Sequence, residues 1–221
     1  MTADELRILT HLALLTAAWL AYFGLHSLLA SMSIKRWVAQ RRPAWMAAYR
    51  LGFNALAVLL VLPPLWLTLT GPGPVLFAWT GTSWWVANGL ALASLGAVVW
   101  SLRWYDGAAF LGLRQWRERI ETVADQERFT ISPLHRWVRH PWYSLSLVLI
   151  WTRDMDPSFL ATAILLTGYF IVGSRLEERK LIAYHGERYR RYRERVPSLI
   201  PRPWRYLTAQ QAHALIDDRA A

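Results

Sequence analysis

Leu134-His135-Arg136-Trp137-Val138-Arg139-His140-Pro141-Trp142-Tyr143 leads into two apolar runs, 144–151 and 159–172, which end at Leu176-Glu177-Glu178-Arg179-Lys180-Leu181. Between the runs lies Thr152-Arg153-Asp154-Met155-Asp156-Pro157-Ser158, a polar turn. Two apolar runs split by a charged turn read as a membrane hairpin. Folding the hairpin back on itself brings the two polar clusters to one membrane face. The expected fold is all-α: a polytopic membrane bundle of about five transmembrane helices with a C-terminal helical region on the same face as the clusters.

The rest of the chain supports a membrane class. Of its 221 residues, 54% are hydrophobic, above the roughly 45–50% of soluble proteins. Stretches 8–30 and 51–100 contain no Asp, Glu, Lys or Arg. The spans read as 8–30, 45–69, 84–102 and the two hairpin runs. Lys35, Arg36, Arg41 and Arg42 in loop 33–43 have no acidic neighbours there, which places that loop on the cytoplasmic side. Segment 103–140, with seven arginines including Arg128, belongs on that side too. Gly71-Pro72-Gly73-Pro74 begins an uncharged outer loop. The N-terminus is then outside and the C-terminus inside. Asp4 and Glu5 precede the first run, which is the wrong charge for a secretory signal. Pro63-Pro64 predicts a kink or break near the far end of the second span.

The net charge of +10, with 14 tryptophans, fits anionic headgroups and interfacial belts. Membrane lipids, rather than nucleic acid, are the expected partners. The chain has no cysteine. That excludes disulfides, iron–sulfur clusters, cysteine nucleophiles and thiolate metal sites. His135 and His140 are five residues apart across an expected turn, so no metal site is predicted.

Chemistry concentrates in the two clusters. His140 precedes Pro141 and is pushed out of the helical region, while proline suits the first helical position. The resulting helix N-terminus favours a carboxylate or phosphate. A snorkelling basic collar is the plain alternative. Glu177 and Glu178 fall at a helix C-terminal end, where acids are disfavoured. They need bases, such as Arg139, Arg175 or Arg179, or a ligand offering a ribose or an amine. Tyr189 and Tyr192 form an aromatic stripe that serves packing or a ligand wall. Upstream, His26 lies late in the first span, and Arg50 and Asn54 share one helical face.

Arg139-His140-Pro141-x-Tyr143, Glu177-Glu178-x-x-Leu181, Gly186-x-x-Tyr189-x-x-Tyr192 and Val196-Pro197 together resemble the integral-membrane methyltransferases. That group includes the isoprenylcysteine carboxyl methyltransferases and their bacterial relatives. The resemblance covers about 133–201. His26-Ser27, Lys35-Arg36, Tyr49-Arg50 with Asn54, and Tyr105-Asp106 followed by 110–115 resemble its bacterial methanethiol S-methyltransferase branch. Ser144 and His185 depart from the common pattern. The resemblance implies S-adenosylmethionine as methyl donor and a small membrane-permeable thiol as acceptor, in the bacterial inner (cytoplasmic) membrane. It divides one domain, 1–221, into a substrate side (1–132), a cofactor-binding region (133–205) and a tail (206–221) without an assigned role, read as a short helix or disorder. It implies cofactor contacts from Leu134, His135, Val138, Arg139, His140, Tyr143, Glu177, Glu178 and Tyr189, with the backbone of 134–138 holding the amino-acid end. His26, Arg50, Asn54 and Asp106 fall on the acceptor side, with His26 as the base or Arg50 as the thiolate's counter-charge. Three rival readings remain: a prenylcysteine or lipid methyltransferase, a membrane reductase using a nicotinamide cofactor, and a non-enzymatic membrane bundle.

Overall fold

The structure is a computed structural model that describes residues 1–123 and 129–217. Arg128 and the last residues of the tail, 218–221, lie outside the described residues. The described residues form helices α1 (Ala3–Ala30), α2 (Met32–Arg41), α3 (Met46–Leu69), α4 (Gly81–Ser101), α5 (Gly107–Leu111), α6 (Leu113–Arg117), α7 (Pro141–Trp151), α8 (Pro157–Arg195) and α9 (Ala209–Asp217). Helices α1, α3, α4 and α8 are long and apolar enough to cross a membrane, so the protein is an all-α membrane bundle. The fifth apolar helix, α7, begins at Pro141 as expected. It has 11 residues, about 16 Å of helix, or roughly half the hydrocarbon thickness.

Local sequence explains where the helices begin. Thr2 accepts from the Glu5 N–H, while the Glu5 carboxylate accepts from the Thr2 N–H. The acids ahead of the first span therefore form a capping box and complement the helix dipole. Ser31 caps α2, accepting from the Ile34 N–H. Helix α3 carries Pro63 and Pro64 inside it and runs on to Leu69, contrary to the expected break. Only two donors are lost, and in an apolar span the helix remains the cheapest way to satisfy the other peptide groups.

The chain divides into two compact units. The first holds α1, α2, α3, α5, α6 and the first turns of α8. A polar chain is buried within it. The Trp19 indole N–H donates to the Thr162 hydroxyl at 3.0 Å, Thr162 and Thr68 share a 2.7 Å hydrogen bond, and Thr68 donates to the Pro64 carbonyl at 2.8 Å. Since Thr68 donates to Pro64, Thr162 must be the donor between the two threonines. Each side-chain polar group of this chain of hydrogen bonds is thus paired.

The second unit holds α4, α7, the remainder of α8, and α9. Trp142 donates to Ser101 at 2.8 Å, fastening α7 to α4. Trp151 donates to Thr167 at 3.0 Å, closing the α7–α8 hairpin. Helix α8 is apolar as far as Gly173 and charged from Arg175 onward. It breaks at Gly186, where φ is 55° and ψ is −132°, a conformation reserved for glycine. Beyond the break, Tyr189 and Tyr192 enter a buried cluster with Ile131, Val196, Leu207, Ala212 and Leu215. Residues 206–217, given no role by the sequence, are therefore part of this unit. Leu207 is fully buried, and both its N–H and its carbonyl bond to Arg136.

Candidate active site

Arg139 and His140 sit in the turn that delivers the chain into α7, following a 3-10 turn at Leu134–Arg136. The turn is held from within. Trp137 and Val138 donate to the Leu134 carbonyl at 3.0 and 3.2 Å. Arg139 and His140 donate to the carbonyls of Pro197 and Ser198 at 2.9 and 3.1 Å. The backbone N–H groups of 137–140 are thus engaged within the protein. Leu134 starts the turn and buried Val138 anchors it. His135 bonds the Ser132 hydroxyl at 2.7 Å, and its carbonyl accepts from Tyr192 at 2.7 Å. Burial, aided by the nearby His140, lowers the His135 pKa to about 4. His135 is a neutral brace at physiological pH.

The hairpin brings Arg139 and His140 onto Glu177 and Glu178. One oxygen of Glu178 accepts from Arg139 at 2.9 and 2.7 Å, from His140 Nε2 at 3.1 Å and from Ser198 at 3.2 Å. The Arg139 and Glu178 side chains are each 9% exposed. The other ring nitrogen of His140 lies 3.4 Å from Glu177, which also accepts from the Tyr143 hydroxyl at 3.3 Å. Both His140 nitrogens thus face carboxylates, the arrangement of an imidazolium that donates twice. Arg139 also donates to the carbonyls of Arg193 and Val196. The cluster is an ion-pair network with its charges balanced.

Burial alone would lower the His140 pKa, but the hydrogen bonds and charges of Glu177 and Glu178 outweigh it and raise the value. Burial likewise opposes ionised Glu178, but His140 and Arg139 hold its carboxyl at about 2. A raised histidine pKa adds stability that is complete below its unfolded value, about 6.5, and vanishes as pH climbs through the folded value. The depressed Glu178 pKa adds stability that is complete above about 4.3 and lost only toward pH 2. In denaturant titrations, the stability advantage of wild type over His140→Gln should be widest between about pH 5 and 6 and shrink toward pH 9. A gap that instead widened as pH rose through about 6.5 would show that His140 is neutral in the folded protein.

Three rings line this cluster. His140 stacks on Tyr143 at 5.4 Å, and Tyr143 on Phe170 at 4.9 Å, with interplanar angles of 7° and 10°. Glu177 remains 48% exposed beside them. Tyr189, expected to flank a cofactor, is 2% exposed and packs on Phe129 and Tyr192.

In the other unit, Arg50 Nε and Asn54 Nδ2 both donate to the Phe110 carbonyl at 3.0 Å. Asp106 caps α5, accepting from the Ala109 N–H at 3.0 Å, and pairs with Arg114. These three therefore build one scaffold around 106–114. The His26 ring lies 5.6 Å from Tyr22 and 5.0 Å from Phe53. The scaffold depends on Gly112. Its φ is +89°, and a Cβ there would lie 2.5 Å from the Leu51 nitrogen. Gly112→Ala combines left-handed strain with overpacking and should lower stability by about 2–4 kcal/mol, read by unfolding in detergent. A loss below about 0.5 kcal/mol would show that the segment yields freely.

Two contributors escaped the sequence reading. Phe170 lies inside an apolar run and carries no polar signal. Ser198 acts partly through its backbone carbonyl; its only signal is its position just past Val196-Pro197.

The chain is 31% identical over 186 residues to methanethiol S-methyltransferase of Pseudomonas sp. (strain GM41(2012)), covering 80% of this chain and 68% of the relative. It is 33% identical over 187 residues to methanethiol S-methyltransferase 2 of Bradyrhizobium diazoefficiens, covering 80% and 68%. It is 32% identical over 198 residues to methanethiol S-methyltransferase of Mycobacterium tuberculosis, covering 82% and 74%. No family model and no solved structure matches it.

Proposed function

The chain belongs to the methanethiol S-methyltransferase branch of the integral-membrane methyltransferases, and on that footing we propose that it transfers a methyl group from S-adenosylmethionine to methanethiol or a comparably small thiol. The observation supporting a donor site is the union of Arg139-His140 with Glu177-Glu178 beside stacked Tyr143 and Phe170. The charge bias of the loops supports a cytoplasmic site, with the N-terminus outside.

The residues present suit this donor. S-adenosylmethionine, when bound, supplies a methyl group on a positively charged sulfur. Half-exposed Glu177 can accept from an ammonium or a ribose hydroxyl. The faces of His140, Tyr143 and Phe170 favour a cation. Glu178 is committed to Arg139 and His140, so its role is to fix the His140 ring and the turn. The aromatic wall also excludes water, which would compete with the acceptor.

The acceptor must lose its proton. A thiol with a pKa near 8.5 is only a few per cent ionised at neutral pH. His26 is taken as the base that promotes ionisation; Arg50, which donates to the Phe110 carbonyl through Nε, keeps its charge and is the alternative as the thiolate's counter-charge. His26→Ala should reduce the rate about 10²-fold at pH 7 and recover as pH passes the thiol's own pKa. A deficit unchanged at high pH would remove the base role. The function itself is tested with purified protein in lipid nanodiscs, S-adenosylmethionine, and three acceptors in parallel: methanethiol, a prenylcysteine and phosphatidylethanolamine. Dimethyl sulfide in the headspace, matched by S-adenosylhomocysteine, is the expected result. Methylation of the prenylcysteine or the lipid instead would replace the thiol reading.

A further inference from the structure

A cavity shares Arg139, Glu178 and Ser198 with the ion-pair cluster and opens on its other side. It has a volume of about 510 Å³ and is lined by five arginines, Arg139, Arg175, Arg193, Arg202 and Arg205, against one carboxylate, Glu178. Its wall on α8 includes Ile171, Arg175 and Glu178. By helical spacing this face is turned about 100° from that of Phe170 and Glu177. The opposite wall comes from the segment after the C-terminal end of α8, including Ser198 and Leu199.

The lining charges are not neutralised from within. Arg139 is taken up by Glu178 and two carbonyls, and Arg205 by the Glu194 carbonyl. Arg175, Arg193 and Arg202 make no side-chain hydrogen bond or ion pair among the described residues. Glu178, the one acid, is engaged by Arg139, His140 and Ser198. Guanidinium groups gathered around one hollow repel one another and call for an anion with several oxygens, which their forked N–H groups bind in pairs. A sulfonium nucleotide carrying net positive charge is the wrong ligand here.

The apolar lining narrows the choice. Ile171 lies just before the apolar stretch of α8 ends at Gly173. Ile200, in the opposite wall, is 75% exposed, and Trp204, four residues further along the same segment, is 78% exposed. Basic groups next to exposed apolar and tryptophan side chains, at the end of a membrane helix, match the depth of lipid headgroups. We propose that this cavity binds the phosphate of an anionic phospholipid headgroup, at a site separate from the methyl-donor site.

The test uses the full chain in phosphatidylcholine micelles supplemented with phosphatidylglycerol, read by native mass spectrometry. Wild type should retain one phosphatidylglycerol per chain. R175Q/R202Q should lose on the order of ten-fold in retention or more, since two charge-assisted contacts go. R41Q/R42Q, altered on α2, should bind like wild type. Neither Arg175 nor Arg202 has a partner to lose, and R175K/R202K repeats the test with charge kept and the fork removed. A parallel thermal titration with inorganic phosphate separates the sources. Stabilisation by phosphatidylglycerol but not phosphate supports the lipid; stabilisation by phosphate alone overturns the lipid. Equal lipid retention by wild type and R175Q/R202Q overturns the site. Displacement of phosphatidylglycerol by S-adenosylhomocysteine in wild type would assign the cavity to the methyl donor and overturn the proposal too.

Discussion

Glu178→Ala is expected to abolish methyl transfer and to lower stability by about 3–5 kcal/mol, because it strands Arg139 and His140 as buried charges without a partner. The loss is large since Glu178 is the single point on which Arg139, His140 and Ser198 converge. Without it the Arg139-His140 turn keeps the His140–Glu177 contact and the Arg139 bond to the Arg193 carbonyl as its ties to α8, and the His140 ring loses one of the two carboxylates that orient it. Glu178→Gln separates shape from charge. It keeps an acceptor oxygen but places an amide among donors, so most of the destabilisation should persist. Denaturant titration in detergent and a rate measurement on the same preparation check both effects. A Glu178→Gln protein as stable and as active as wild type would show that the cluster contributes neither order nor chemistry.

Glu177 should behave differently. Its carboxylate is about half exposed and shared only by His140 and Tyr143. Glu177→Gln should therefore leave the fold nearly unchanged while weakening S-adenosylhomocysteine binding about ten- to hundredfold, the worth of one charge-assisted hydrogen bond. Tyr143→Phe keeps the stack on Phe170 but removes the hydroxyl that holds Glu177, so a smaller loss in the same direction is expected. Isothermal titration with S-adenosylhomocysteine reads both. Undiminished affinity in Glu177→Gln would move the ligand's cationic or hydroxyl groups away from this carboxylate. Equal loss of fold and affinity would make Glu177 structural, like its neighbour.

The contrast between two adjacent glutamates shows what the sequence could and could not tell. Their placement at the end of an apolar span, together with the Arg139-His140-Pro141 turn, was enough to predict that the clusters meet. Charge and helix-end rules act locally and can be read along the chain. Which glutamate would be buried could not be read, because that depends on Ser198 and the carbonyls of 196–198 arriving from farther along. Backbone acceptors leave no mark in a sequence. Phe170 was hidden for a related reason: within an apolar run, a ring that stacks on Tyr143 looks like one that faces lipid.

Asp106 and Tyr189 show how residue types that carry chemistry also carry structure. Both belong to residue types that often carry chemistry, yet Asp106 serves as a helix cap paired with Arg114, and Tyr189 serves as core. The tail was underestimated because the apolar residues of 206–217 are interleaved with Thr208, Gln210, Gln211 and His213, and only its docking reveals that Leu207 and Leu215 complete a cluster. The start of α7 at Pro141 was legible, since it followed from proline's fit to the first helical position.

The central claim is that the histidine–proline turn and the exposed glutamate jointly hold the methyl donor. A structure of the protein bound to S-adenosylhomocysteine tests it most directly. Density for the nucleoside or amino-acid end in contact with Glu177, Tyr143 and Phe170 is the expected result. Density that touches none of these three, or that fills the arginine-lined cavity instead, would contradict it.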